Sequence, residues 1–285
     1  MDRRIIYILV AVALSLPLIL KFSVAPAPMP SAQGVFNHIE SLSSTSQVVF
    51  ISLDFGPNSQ AENLPQAEVV LEHLLRKRIP FVLFSQYALA EIFLESVPKT
   101  VTQRLIAEDP TQEYVYGKDW VNLGYRPNSL LIIQSIAQSQ NLHDLFKKDA
   151  RGNRVSDLAL FTKLNTLKDI STLVQLTSLV GTLDNFLQFF QSEEYRPAFL
   201  HGCTSITIPQ AFIYLDSSQI IGLFEGIAGA AWYSKLLSDK FQNRALDSAL
   251  ILNTSLGVAH LLIIVLIVVG NLFMFLSRYF RKDII

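Results

Sequence analysis

Residues Gln47–Phe55 read QVVFISLDF, and residues Pro80–Ser85 read PFVLFS. Both are short, nearly unbroken runs of β-branched and aromatic residues, the composition of strands covered on both faces, as in a parallel sheet. Between them lies a Gly56-Pro57-Asn58-Ser59 loop, and then Ala67, Val70, Leu71, Leu74 and Leu75 recur at helical spacing across Leu64–Arg78. Strand, helix, strand at this spacing makes a βαβ unit with a right-handed crossover. The expected fold class is therefore α/β: a Rossmann-like, doubly wound, mostly parallel sheet.

The alternation continues in both directions. Asn37–Leu42 has the pattern of a short helix. Tyr87–Leu94 and Pro98–Glu108 are expected as helices, with a strand at Glu113–Tyr116 or at Trp120–Leu123. Pro127–Gln138 and Leu142–Lys148 are expected as helices, and the charged, Gly-containing Lys147–Arg154 as a surface loop. Thr172–Ser178 is strand-like, Thr182–Ser192 an amphipathic helix, and Ala198–Ile206 and Ala211–Leu215 late strands. Asp216-Ser217-Ser218 offers oxygens to the free N–H groups of a helix start, so a helix is expected from there to about Leu237.

Two apolar segments bracket this pattern. Leu256–Leu276 (LGVAHLLIIVLIVVGNLFMFL) contains no Asp, Glu, Lys or Arg. As a helix it covers roughly 30 Å, the hydrocarbon thickness of a bilayer. Ile5–Leu20 is also uncharged and apolar. A secretory signal and an uncleaved anchor compete for this segment. The small-residue pattern Ala25-Pro26-Ala27 is followed by Pro28, a poor position for cleavage, so a retained anchor is expected. Arg3 and Arg4 precede the first segment, and Arg278, Arg281 and Lys282 follow the last, so the positive-inside rule places both ends in the cytoplasm. The expected layout is a transmembrane anchor at 1–22, a Pro/Ala-rich stiff spacer at 23–34, an extracytoplasmic α/β domain at 35–240, a juxtamembrane helical connector at 241–255, a transmembrane helix at 256–277 and a basic cytoplasmic tail at 278–285. The main domain then lies in the periplasm or outside the cell, tethered to the inner (cytoplasmic) membrane.

The 285 residues carry a net charge of −1, without the basic footprint of nucleic-acid binding. One cysteine, Cys203, forms no intramolecular disulfide. The five histidines (His38, His73, His143, His201, His260) lack metal-ligand spacing, and neither G-x-G-x-x-G nor Walker A is present. No cofactor and no metal are expected.

Several residues stand out as candidates. Asp54 ends the first strand and, with Asn58 in the loop after it, sits where open α/β sheets receive ligands; a carboxylate capping the next helix is the plainer reading. Cys203 follows strand and glycine in Phe199-Leu200-His201-Gly202-Cys203, like a nucleophile elbow, but Ser205 stands where a tight elbow favours glycine and no base is fixed on the sulfur. Gly222, Gly226 and Gly229 form a small-residue stripe that admits another backbone or packs on its own sheet. His260 and Asn271, eleven residues apart inside the last apolar segment, share a face and are able to bond across a helix pair, or to sit wet at the two interfaces. Tyr116–Pro127 crowds Lys118, Asp119, Asn122, Tyr125 and Arg126 among aromatics, as a buried hydrogen-bonded network or a recognition surface.

Three stretches carry a resemblance: Ser52-Leu53-Asp54-Phe55 with Glu62 and Pro65; Tyr116–Pro127 (YGKDWVNLGYRP); and Ser218-Gln219-Ile220 with Gly222, Gly226, Gly229-Ala230-Ala231 and Tyr233. The chain resembles an uncharacterised family of prokaryotic membrane proteins with one Rossmann-like extracytoplasmic domain. It departs from that family's pattern at Asn128, where glycine is usual, and at Ser234, where an acidic residue is usual. More distantly it is similar to the extracytoplasmic domains of auxiliary ABC-transporter proteins, which are non-catalytic. The resemblance implies fold and topology and brings no activity. The expected function is a non-enzymatic accessory or assembly subunit of an envelope transport or motility complex, with other membrane proteins or a second copy as partners. A small-ligand sensor at Asp54, Asn58, Lys118 and Asp119, and a thiol hydrolase at Cys203, are the alternatives.

Overall fold

The computed structural model describes residues 3–43 and 47–282. Residues 283–285 of the expected basic tail, the side chains of Arg278, Arg281 and Lys282, and residues 1 and 2 of the expected anchor lie outside the described residues. The chain divides into a helical unit within 1–26 and 246–285 and an α/β unit of 27–245.

The α/β unit is built on six parallel strands: β1 (Val48–Asp54), β2 (Phe81–Ser85), β3 (Trp120–Tyr125), β4 (Ile170–Thr177), β5 (Ala198–Cys203) and β6 (Gly222–Glu225). Their order is 3-2-1-4-5-6, all pairs parallel, the order of a doubly wound Rossmann sheet with its switch point between β1 and β4. All seven residues of β1 are buried, as their unbroken apolar run requires when helices cover both faces. One face packs Phe50, Phe84 and Phe199 against α5 (Ser129–Gln138), α7 (Thr182–Phe189) and α8 (Ile208–Asp216). The ring of Phe186 on α7 lies 6.3 Å from Phe84 and 6.2 Å from Phe199. The other face carries α2 (Pro30–Ser41), α3 (Gln60–Arg76), α4 (Glu91–Glu108) and α9 (Gly226–Lys240), with α3 packed between α4 and α9. The short α6 (Leu142–Phe146) lies in the long β3–β4 crossover.

Sequence and structure differ in five places. Residues 30–34, expected in the spacer, begin α2: Pro30 occupies the first turn, where its missing N–H costs nothing, and Ser31, Ala32, Val35 and Ile39 are buried. Tyr87–Leu94 and Pro98–Glu108 are not two helices. A 3-10 turn at Ala88–Ala90 leads into α4, which passes through Pro98 because Phe93, Leu94, Val97, Val101 and Leu105 keep one buried stripe across it. Ala211–Leu215 is helix, not strand; so short an apolar run does not distinguish the two periods. Asp216–Ser218 ends α8 instead of starting a helix, with Ser218 at φ 58°. The chain then forms β6, and α9 starts only at Gly226, at φ 56°. In the connector, 241–247 is irregular, and the last helix begins at Ser248.

The edge strand β3 is sheltered by the loop after α6. Ala150 N donates to Asn122 O (2.8 Å), and Arg126 Nη2 to Lys148 O (2.9 Å). Asp149 holds that loop by accepting from Tyr116 Oη (2.7 Å), Asn153 N (2.8 Å) and Arg151 N (2.9 Å), while the Arg151 guanidinium lies 3.5 Å over the Tyr116 ring. Tyr116, Asn122 and Arg126 of this stretch thus belong to a structural network, whereas Lys118 and Tyr125 are exposed. Asn128 adopts φ 62°, a left-handed conformation that asparagine tolerates better than other residues with a side chain.

A fully buried carboxylate joins α3 to its neighbours. Glu72 accepts a two-bond fork from Arg244 (Nε to Oε1 and Nη2 to Oε2, both 2.7 Å), with Arg76 Nε at 2.8 Å and Arg104 Nη2 at 2.9 Å. Burial alone would raise its pKa; the Arg244 hydrogen bonds and the charges of Arg244, Arg104 and Arg76 outweigh it and leave the carboxyl below its ordinary value. Arg244 is itself almost fully enclosed and donates to Ser234 Oγ at 2.8 Å.

In the helical unit, α1 (Arg3–Leu20) packs along α10 (Ser248–Lys282). Ser255 Oγ donates to Leu14 O, and Val24 N to Thr254 Oγ1 at 3.0 Å. Most other side chains on both helices are exposed and apolar, and each helix is long and apolar enough to cross a membrane.

Removing one partner of a buried ion pair strands the others. Glu72→Gln is expected to destabilise the α/β unit by about 3–5 kcal/mol, read as a lower urea midpoint of the detergent-solubilised protein; Arg104→Ala, on a more exposed partner, has a smaller effect.

Candidate functional site

The carboxyl ends of β1 and β4 flank the switch point, where an open α/β sheet has its crevice. Asp54 stands there, fully buried. Its Oδ1 accepts from Gln86 N (2.8 Å) and Ser85 Oγ (3.2 Å), and its Oδ2 from Ser52 Oγ (2.7 Å). Burial pushes its pKa up more strongly than those hydrogen bonds pull it down. Asp54 thereby ties the end of β1 to the turn after β2. One row below, Ser52, Gln175 and His201 are register neighbours on β1, β4 and β5. The Gln175 amide also faces Asp54, although neither of its polar atoms makes a hydrogen bond of standard geometry; the Gln86 amide and His201 Nδ1 are in the same condition. Burial depresses the His201 pKa to about 3, so the ring is neutral at pH 7. Asn58 is exposed in the turn beyond Gly56.

The other strand ends are closed by side chains of α3. Asn63 Nδ2 donates to Thr177 O (3.3 Å), and Gln66 Nε2 to Cys203 O (2.9 Å) and Gly226 O (3.1 Å). Glu62 Oε2 accepts from Ser205 N at 2.8 Å and from Ser205 Oγ. These groups satisfy backbone carbonyls and N–H groups that a ligand or water would otherwise meet. The protein's own amides occupy the crevice.

Cys203 is buried beneath this edge, with Sγ 3.7 Å from Phe224 O. Burial pushes its thiol up to about 12, so thiolate, the nucleophilic form, is scarce at neutral pH. The strand–turn–helix outline of an elbow is present, since α8 follows after four intervening residues, but the sulfur faces inward.

Lys118 and Asp119 are not near Asp54. They precede β3, at the amino edge, where Asp119 O accepts from Phe81 N (3.1 Å) and its Oδ2 from Val115 N (2.7 Å). Trp120 is level with Phe81 and Val49, so Asp54 lies about six strand residues, roughly 20 Å, away. Exposed Lys118 and half-buried Asp119 help line an open groove of about 550 Å³ with Arg78, Glu113 and Lys163. A single ligand crevice using Asp54 and Lys118 is therefore ruled out by strand direction.

Gly222, Gly226 and Gly229 do not share a helical stripe. Gly222 lies in β6, where an added Cβ would meet Val35 N at 2.6 Å; Gly226 makes room for Glu62 at 2.5 Å; Gly229 abuts the Phe224 backbone at 3.0 Å. All three contacts are internal to the α/β unit, in keeping with packing on its own sheet, the other of the two readings of these glycines. His260 and Asn271 are both exposed on α10. Among the described residues, no group of three His, Cys, Asp or Glu side chains is placed to share a metal ion.

What the sequence reading missed is an apolar rim. Leu89 and Ile92 follow β2, Leu131 follows β3, Val180 follows β4 and Ile206 follows β5. All are more than half exposed, and Ile206 reaches 88%. In a parallel sheet these connections share one end, so the rim surrounds the closed crevice. A partial signal was present at Val180, beside Gly181, and at Ile206, between Ser205 and Thr207; Leu89, Ile92 and Leu131 sit among other apolar residues and do not stand out.

Neither a protein-family model, nor a curated protein, nor a solved structure matches this chain.

Cys203 is expected to resist iodoacetamide in the native protein and to react in denaturant. His201 has a folded pKa of about 3 against an ordinary 6.5. The unfolded chain therefore binds the proton first, and stability is full above about pH 6.5 and falls as pH drops toward 3. His73, depressed by burial to about 4, acts in the same sense, and Asp54, raised by burial, in the opposite one. His201→Gln is expected to flatten the decline of melting temperature between pH 6.5 and 4, measured against the parent protein.

Proposed function

We propose that this protein is a membrane-tethered, non-catalytic α/β module that acts as an assembly or accessory subunit of an envelope complex, with the α/β unit outside the cytoplasm. The observation that carries the reading is the carboxyl edge of the sheet. Where an α/β enzyme keeps an open crevice, Asn63, Gln66 and Glu62 fill the space and exposed Leu89, Ile92, Leu131, Val180 and Ile206 rim it. Exposed aliphatic side chains gathered at one end suit a protein partner with an apolar surface. The topology rests on Arg3 and Arg4 before the first apolar segment and Arg278, Arg281 and Lys282 after the last. The protonated Cys203 thiol removes the main support for a thiol hydrolase.

One observation favours a second reading, a sensor of a small polar ligand. At the carboxyl end of the sheet the buried Gln86 amide and His201 Nδ1 make no hydrogen bond, and the Gln175 amide facing Asp54 makes none of standard geometry, a costly arrangement that a bound polar molecule relieves. In that case Asp54→Ala abolishes a ligand-induced rise in melting temperature.

A photo-cross-linker placed at Ile206 in native membranes is expected to capture a partner in stoichiometric amount. Val180→Glu, in the same protein, is expected to reduce that capture at least about tenfold, the equivalent of 1.4 kcal/mol, while leaving the far-ultraviolet circular dichroism unchanged. Capture that survives Val180→Glu, or a purified protein with nothing cross-linked at Ile206, overturns the reading.

A further inference from the structure

The last helix has two distinct sides. Toward α1 it presents Ser255, Ala259, Leu262 and Leu266, spaced 4-3-4; Ser255 hydrogen-bonds Leu14 O, Ala259 is buried, and Leu262 and Leu266 are half-buried. About 150° around the helix, at 100° per residue, runs a second line: Asn253, Gly257, His260, Ile264, Ile267, Asn271. Its spacing is 4-3-4-3-4, an unbroken heptad register. From Gly257 onward each of these residues is exposed, with Ile264 and Ile267 both at 57%. An added Cβ at Gly257 would have nothing within 4 Å, so a neighbouring backbone has room to approach.

This line holds both His260 and Asn271, the two strongly polar side chains of Leu256–Leu276. In a helix apolar on every other side, polar groups gathered on one heptad line mark a contact face, because each lacks a hydrogen-bonding solvent in hydrocarbon. A carboxamide is donor and acceptor at once, and an imidazole likewise. Copies inserted the same way meet around a two-fold axis normal to the membrane, which sets each of these positions against itself. Asn271 then faces Asn271 and His260 faces His260, each pair self-complementary. A lone Asn in such a line also fixes register.

We infer that two copies of this chain pair in parallel through the Gly257–His260–Ile264–Ile267–Asn271 line of α10. The partner at this face is a second copy, and the side of α10 that packs on α1 takes no part. The pairing rests on the reading that the helical unit is membrane-embedded, and it is independent of what docks on the apolar rim of the α/β unit.

The test is disulfide scanning of full-length protein in native membranes, on a Cys203→Ser background. Single cysteines are placed at Ile264 and Ile267 on the line, and at Val265 and Leu272 off it, then oxidised with copper phenanthroline. Resistance to alkaline carbonate extraction is checked first, and its failure overturns the membrane reading itself. In protein that passes, homodimer bands at 264 and 267 at least about fivefold stronger than at 265 and 272 support the pairing. Equal yields at all four positions, no homodimer, or cross-links from 264 and 267 to a different protein overturn it. With cysteine at 267, His260→Ala plus Asn271→Ala is expected to lower the homodimer yield about three- to tenfold, the range for interhelical hydrogen bonds in lipid. An unchanged yield also overturns the pairing.

Discussion

The α/β unit depends on one buried carboxylate. Glu72 sits at 0% exposure on α3, the helix packed between α4 and α9, and it gathers Arg76 from its own helix, Arg104 from α4 and Arg244 from the segment after α9. A buried charge is tolerated only when its partners and hydrogen bonds are complete, and here the Arg244 fork and two further guanidinium contacts complete it. The arrangement specifies more than it stabilises: it fits only if α3, α4 and the chain leaving α9 meet at one point.

From α3 outward, the logic of the carboxyl edge follows. The carboxy-terminal half of that helix carries Glu72 and His73, the latter bonded at 2.6 Å to both Tyr233 and Glu40. Its amino-terminal half carries Glu62, Asn63 and Gln66, which close the ends of β4, β5 and β6. A helix fixed at one end by an ionic cluster is thereby aimed at the strand ends at the other. The doubly wound architecture is kept while its customary crevice is filled from within, and the surface left at that end is aliphatic.

Much of the fold was legible in the sequence. Gln47–Phe55 and Pro80–Ser85 announce buried parallel strands, and the helix between them follows its 3.6-residue period. β6 was not legible: Gly222, Gly226 and Gly229 mimic helical spacing, and its pairing with β5 and the close approach of Val35 to Gly222 are tertiary facts. Pro98 suggested a break that the buried stripe of α4 overrides. Little of the site was legible. Asp54 was picked out by its place at a strand end, but its enclosure by Ser52, Ser85 and Gln86 is a tertiary fact. Lys118 and Asp119 were grouped with it by chemistry, whereas strand direction puts them at the opposite end. The rim of single aliphatic residues carries no periodic pattern and shows itself only when the turns are brought side by side.

The loop that shelters β3 has a consequence for life at a surface. A membrane tether of the kind proposed above confines its cargo to two dimensions, where collisions between neighbouring copies are frequent. A bare strand margin would offer each neighbour a template for zippering sheets together. By laying Ala150 and Lys148 along that margin, with Asp149 and Arg151 locking the cover to Tyr116, the chain protects itself against polymerising merely because it is crowded.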